Sequence, residues 1–265
     1  MNISIPYLHE KLSIEVNAKN VMGVFYPNDV KQHKSTRHII DSALINSYGN
    51  ENFETFLQTD GDLIVIVNDG TRPTPTRVIL ESIGESLIKR NATFIVATGI
   101  HREPTLEEYY YIFGPLYDKI KKRVYSHDSR NDEMVFLGAS KNKTDLYLNK
   151  RVVDSENILV IGSVEPHYFA GYTGGRKGLL PGVASYKTIE LNHKHALDPM
   201  AKSLQLDGNP VHTDMIDALH LINNNIFAIN TVLDRNHQIY AVTSGDIIDS
   251  FYAAIKKADE VFVVP

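Results

Sequence analysis

The apolar positions of this chain follow two periods. Unbroken runs at residues 62–68 (DLIVIVN), 92–97 (ATFIVA) and 158–162 (ILVIG) are bounded by turn residues, the pattern of strands buried on both faces of a parallel or mixed sheet. Helical spacing lies between and around them. Ile39, Ile40, Ala43 and Leu44 share one face with Gly49 as a stop, and Val78, Ile79, Ile83 and Leu87 share another. That second helix is expected to begin near Pro75, with Thr74 or Thr71 as its N-cap. Further helices are expected from Pro104, across 208–222 and over 247–257.

Alternation in residues 1–27 (Leu12, Ile14, Val16, then Val21 to Tyr26) reads as two or three strands, and residues 114–150 as a turn with small strands. The polar stretch around His33, Lys34 and His38 reads as a solvated loop. Segments 226–232 and 238–242 read as a hairpin turning at 234–237, and the final apolar run, 261–265, as a buried strand. Together these elements predict an α/β fold: a mainly parallel or mixed sheet with flanking helices, Rossmann-like, plus small β elements. A chain stopping in a buried strand suggests a longer protein.

Composition narrows the function. A formal charge of −5 over 265 residues gives no reason to expect nucleic acid, and no apolar run reaches the length of a membrane span. With no cysteine there is neither a disulfide framework nor a thiolate metal site, so the cytoplasm is the default. Any metal must be held by histidine, carboxylate or a cofactor.

Candidate chemistry gathers in three places. Residues 165–195 hold His167, Gly174, Gly175, Lys177, Pro181-Gly182, His193 and His195 in one connection fed by the 158–162 strand. Glycines let backbone N–H groups approach a small anion; a lysine there pairs with it or, desolvated, becomes a nucleophile. The histidines add a base, an acid or a metal ligand. The second place is DGTRPTP (69–75), at the carboxyl end of a strand. Helix N-termini there favour anions, and Arg72 suits a carboxylate or phosphate. The third, TGIHR (98–102), brings His101 to the same sheet edge one βα unit later. His127-Asp128 either supports the site from behind or caps a strand end.

These pieces, with EPH (165–167), Ala170-Gly171, GGRK (174–177), Asn192-His193 and GNPV (208–211), resemble the lactate racemase family in order and approximate spacing. The resemblance spans essentially the whole chain. It implies that residues 1–265 are the amino-terminal catalytic and cofactor-binding domain of a longer protein, with a carboxyl-terminal domain absent.

The resemblance also implies a function: a racemase or epimerase of a 2-hydroxy acid, by hydride transfer to and from a nickel-pincer nucleotide. That cofactor is a pyridinium dithio-mononucleotide carrying nickel, joined covalently to Lys177. His193 would complete the nickel's coordination, with His195 as an unassigned rival. His101 and His167 would be the catalytic acid and base, two because racemisation runs from both enantiomers. Asp69, Thr71, Arg72, Gly174 and Gly175 would contact cofactor or substrate. The partners implied are a small 2-hydroxy acid, of unspecified identity, and the cofactor-making enzymes; neither nucleic acid nor membrane is expected, and the oligomeric state is open. Two other classes compete: a non-catalytic nucleotide- or phosphate-binding module, and a His-ligated metal hydrolase on His101, His167 and His193. The first lacks a Walker loop; the second lacks a recognised zinc pattern.

Overall fold

The computed structural model describes residues 1–7, 10–49 and 51–264. An antiparallel hairpin, β1 (Asn2–Tyr7) and β2 (Glu10–Glu15), precedes an extended stretch, α1 (Thr36–Ile45) and α2 (Phe53–Leu57). The centre of the fold follows: β3 (Leu63–Asn68), α3 (Thr76–Lys89), β4 (Thr93–Ala97), α4 (Leu106–Phe113), α5 (Leu116–Ile120) and β5 (Val124–Ser126). A second hairpin, β6 (Met134–Ala139) and β7 (Asp145–Asn149), and α6 (Lys150–Val153) lead to β8 (Asn157–Ser163). The connection after β8 contains a two-rung turn, β9 (Pro166–His167) and β10 (Gly171–Tyr172), then α7 (Arg176–Leu179) and α8 (Tyr186–Lys194). The chain closes with α9 (Pro210–Leu221), β11 (Asn225–Leu233), β12 (Ile239–Asp246) and α10 (Ile247–Phe262).

The main sheet has the order β12-β11-β8-β3-β4-β5, parallel except for β12. Both faces are covered. Val65, Val67, Phe94, Val96, Leu159 and Ile161 pack with residues of α1 to α4, such as Ile40, Phe56, Ile79 and Phe113. Their alternates Ile64, Ile66, Ile95, Ile158 and Val160 pack with Leu148, Leu179, Ile189, Val211 and Met215 on the other side. The period of two along strands that are apolar on both faces makes this a three-layer α/β/α domain. From β3 the chain progresses to β4 and β5 on one side, whereas β8, its other neighbour, leads to β11. The carboxyl ends of β3 and β8 therefore flank a topological switch point, where open α/β sheets leave a crevice.

Several expectations are corrected. Neither Thr74 nor Thr71 caps α3, whose N-cap is Pro75 without a side-chain bond. The Thr74 hydroxyl instead bridges Ser163 (2.9 Å) and Asn68 (2.6 Å) across the switch point. The expected terminal strand is the end of α10, which runs through Val261 and Phe262; its apolar residues continue the helix stripe that covers the sheet. Pro265 lies outside the described residues. Val21 to Tyr26 form no strand among the described residues, and α1 stops at Ile45 rather than at Gly49. The short helix α5 interrupts the region 114–150, expected to hold a turn and small strands.

Candidate active site

One cavity of about 640 Å³ opens at the switch point. Asp69, Arg72, His101, His167, Gly174, Lys177 and His193 all line it, brought there by the ends of β3, β4 and β8 and by α7 and α8.

The turn after β3 supplies a carboxylate. Asp69 is 7% exposed; its Oδ1 accepts from the N–H (3.1 Å) and hydroxyl (2.6 Å) of Thr71, and its Oδ2 lies 2.6 Å from His101 Nδ1. Thr71 itself lines a neighbouring recess of about 270 Å³ with Arg102 and Glu108, so its part in the main cavity is to hold Asp69. Arg72 is half-buried, and among the described residues its guanidinium has no hydrogen-bond or ion-pair partner. An unpaired planar cation on a cavity wall is suited to a carboxylate or phosphate.

The connection after β8 is organised by Arg176. This side chain is fully buried and donates to the carbonyls of Thr173 (2.9 Å), Tyr172 (2.9 Å) and Ala170 (3.2 Å), and to His212 Nδ1 (3.0 Å). It thereby satisfies carbonyls that the irregular turn leaves without ladder partners. Gly174 has φ +124°, and a Cβ there would lie 2.7 Å from Phe251, so only glycine fits. Gly175 faces away from the cavity: its N–H donates to Asn230 (2.9 Å) in the core, and it is not among the lining residues.

Lys177 projects into the cavity, with no hydrogen-bond partner for its amine among the described residues. Burial pulls its pKa well below the usual lysine value, Arg176 and Arg72 push the same way, and Glu165 opposes them. His167 is buried, and burial with nearby Lys177 and Arg72 holds it down to about 3, so it is neutral at pH 7. Its ring stacks on Tyr168 (4.8 Å) and meets Phe169 edge-on (4.6 Å). His193 sits in the last turn of α8, with Nδ1 2.8 Å from the Ile189 carbonyl oxygen. A carbonyl only accepts, so Nδ1 carries the hydrogen and Nε2 keeps its lone pair, the arrangement of a metal-ligating histidine.

The other candidates lie elsewhere. His195 does not line the cavity; its Nε2 is 3.4 Å from the buried Asp214 and 3.3 Å from Thr144. His127 is buried against the Ala184 carbonyl (2.9 Å) and Asn149 (3.1 Å), a structural role. His33 and His38 are exposed.

Sequence reasoning missed Glu165, whose carboxylate burial pushes up, with Arg72 opposing, and the polar wall of Asn68, Ser163, Thr173 and Ser203. Glu165 stands in the EPH motif, which was a signal; the hydroxyls carried none.

The fold is thus an α/β domain whose mainly parallel sheet opens at its switch point onto a lysine and three histidines. Residues 7–203 match the lactate racemase N-terminal domain, and the chain belongs to that family. It is 34% identical over 254 residues to the lactate racemase of Thermoanaerobacterium thermosaccharolyticum, and 30% identical over 255 residues to that of Lactiplantibacillus plantarum. Each match covers 92% of this chain and 59% of the relative, so the chain spans under two thirds of their length. The apoprotein structure of the T. thermosaccharolyticum lactate racemase superposes with a TM-score of 0.85 at 31% identity, covering 98% of this chain and 63% of that one. A Thermotoga maritima protein shares the fold, with a TM-score of 0.68 at 22% identity, covering 85% of this chain and 58% of that one.

Proposed function

We propose that this chain is the amino-terminal, cofactor- and substrate-binding part of a racemase or epimerase of 2-hydroxy acids that works with a nickel-pincer nucleotide on Lys177. The observation that carries this reading is the convergence of the Lys177 amine, without a partner among the described residues, and three histidines on one cavity.

The residues present fit such a group. A lysine whose pKa burial lowers is an amine ready to form an acyl-type bond, as a thioamide requires. His193 offers one free Nε2 for a metal. Among the described residues no three His, Asp or Glu side chains converge as an ion site, so the remaining donors would belong to the bound group. This also counts against the hydrolase reading. The volume of about 640 Å³ lies within the range of small-molecule and cofactor sites.

When bound, the group supplies a hydride acceptor and donor. The chain's own residues do the rest. Arg72 binds a carboxylate or phosphate through its fork. His101 and His167 handle the proton of the substrate's 2-hydroxyl, help worth on the order of 10²–10⁴-fold. Ile100, Tyr168 and Phe169 supply the apolar part of the cavity wall. The reading carries the cofactor-making enzymes as partners and a cytoplasmic setting. No helix among the described residues is long and apolar enough to cross a membrane.

Protein made together with the cofactor-making enzymes, and carrying the further length its relatives have, should show a mass adduct on Lys177 and interconvert the enantiomers of a 2-hydroxy acid. Stoichiometric zinc with Lys177 unmodified would favour the hydrolase. Phosphate or nucleotide binding with neither adduct nor turnover would favour the binding module.

A further inference from the structure

The two histidines assigned to proton transfer have opposite neighbours at Nδ1. For His101 the neighbour is Asp69 Oδ2, at 2.6 Å. The other oxygen of that carboxylate already receives the N–H and hydroxyl of Thr71, so the group is an acceptor throughout. The hydrogen of the neutral His101 ring therefore sits on Nδ1, and its Nε2 keeps a lone pair. For His167 the neighbours are backbone N–H groups, of Ala170 at 3.2 Å and Phe169 at 3.5 Å. An N–H only donates, so Nδ1 accepts and the hydrogen sits on Nε2. The His101 ring is 45% exposed, but the groups that set both tautomers are fixed. Asp69 is buried and held by Thr71, and the 167–172 turn is held by Arg176 through the carbonyls of Ala170 and Tyr172.

We propose that His101 and His167 are held in opposite tautomers and are not interchangeable: Asp69 positions His101 as a resting proton acceptor through Nε2, and the Ala170 and Phe169 N–H groups position His167 as a resting hydrogen-bond donor through Nε2–H. The tautomers are a property of the unloaded chain; only their consequence rests on the 2-hydroxy acid reading. An enantiomer that brings its hydroxyl to His101 meets an acceptor already in place, the proton passing to Nε2 and the bonding pair staying on oxygen. The mirror-image enantiomer, with its hydroxyl at His167, meets an N–H. Proton removal there requires the ring hydrogen to move to Nδ1 against two backbone donors. The enantiomers have equal free energy in solution, so kcat/KM must be the same for both. Any inequality between the two directions can then show only in kcat and KM, both changed by one common ratio.

The test uses the chain without cofactor, labelled with ¹⁵N-histidine, at about pH 9, well above the ordinary imidazole value. Long-range ¹⁵N–¹H spectra report which ring nitrogen is unprotonated, and His101→Gln and His167→Gln samples assign the signals. We expect the unprotonated nitrogen to be Nε2 in His101 and Nδ1 in His167. Asp69→Asn should flip the first alone. The Thr71 donors keep the amide oxygen at the Oδ1 position, so the new NH₂ faces His101 and drives its hydrogen to Nε2. The same tautomer in both rings, a mixture in either, or a folded Asp69→Asn that leaves His101 unchanged would overturn the proposal. If Asp69→Asn does not fold, the wild-type spectrum decides alone. A loaded protein that fails to racemise counts against the proposed function and leaves this result untouched.

Discussion

The guanidinium of Arg176 lies 3.9 Å over the ring of Phe251, fully buried, with its N–H groups on three carbonyls and His212. That contact ties the glycine-rich connection to α10, which covers the β11–β12 edge of the sheet. Replacing Arg176 with Ala strands buried carbonyls and opens a cavity. It should destabilise the fold by about 3 kcal/mol or more, read as a fall in the urea midpoint. A midpoint within error of wild type would show that the turn holds without its arginine.

Acid sensitivity should have a histidine component. Burial, with Arg176 second, holds His212 down to about 3, against about 6.5 in an unfolded chain. The unfolded state then binds more protons between these values. This share of stability is present above about 6.5 and lost as pH falls toward 3. His212→Gln keeps an acceptor for Arg176 but cannot be protonated. It should flatten the fall in unfolding free energy between pH 6.5 and 5, by about 1 kcal/mol per pH unit after allowing for partial solvent screening. An unchanged slope would place the acid sensitivity elsewhere.

Lys177 should react as a free amine. Its pKa is lowered by burial first, then by Arg176 and Arg72. At neutral pH a limiting dose of a small amine-reactive ester should label Lys177 ahead of solvent-exposed lysines, which are cationic there. Arg72→Met removes one of the lowering charges, so it should slow that labelling. Peptide mass spectrometry reads both effects. Labelling of Lys177 no faster than the surface average would mean the amine is charged or shielded.

In cofactor-loaded protein carrying the further length its relatives have, anchoring and proton transfer should separate. His101→Ala and His167→Ala should each abolish interconversion while the Lys177 adduct remains. Lys177→Ala should lose the adduct, and His193→Ala should lower nickel occupancy. Adduct mass measured beside turnover distinguishes the two pairs. Retained racemisation in both histidine variants would end the acid–base assignment.

Much of this protein is legible along the chain. The runs at 62–68, 92–97 and 158–162 are apolar at every position because parallel strands are buried on both faces, and each became a central strand. The cavity-lining residues at strand ends were legible for a related reason: a side chain just past a buried strand is delivered to the sheet's edge whatever the rest of the chain does. What only the tertiary structure decided depends on contacts distant in sequence. The run at 261–265 is as apolar as a strand, yet Val261 and Phe262 belong to a helix, because a short apolar run fits either element until its neighbours are known. Thr74 has the chemistry of a cap, but Ser163, 89 positions away, takes its hydroxyl. Gly175 sits beside Gly174 in the motif and faces the opposite way. The protonation pattern of the histidines is the furthest from the sequence. A ring's tautomer is set by whichever donor or acceptor packing brings to its Nδ1: a carboxylate for His101, backbone N–H groups for His167 and a carbonyl for His193.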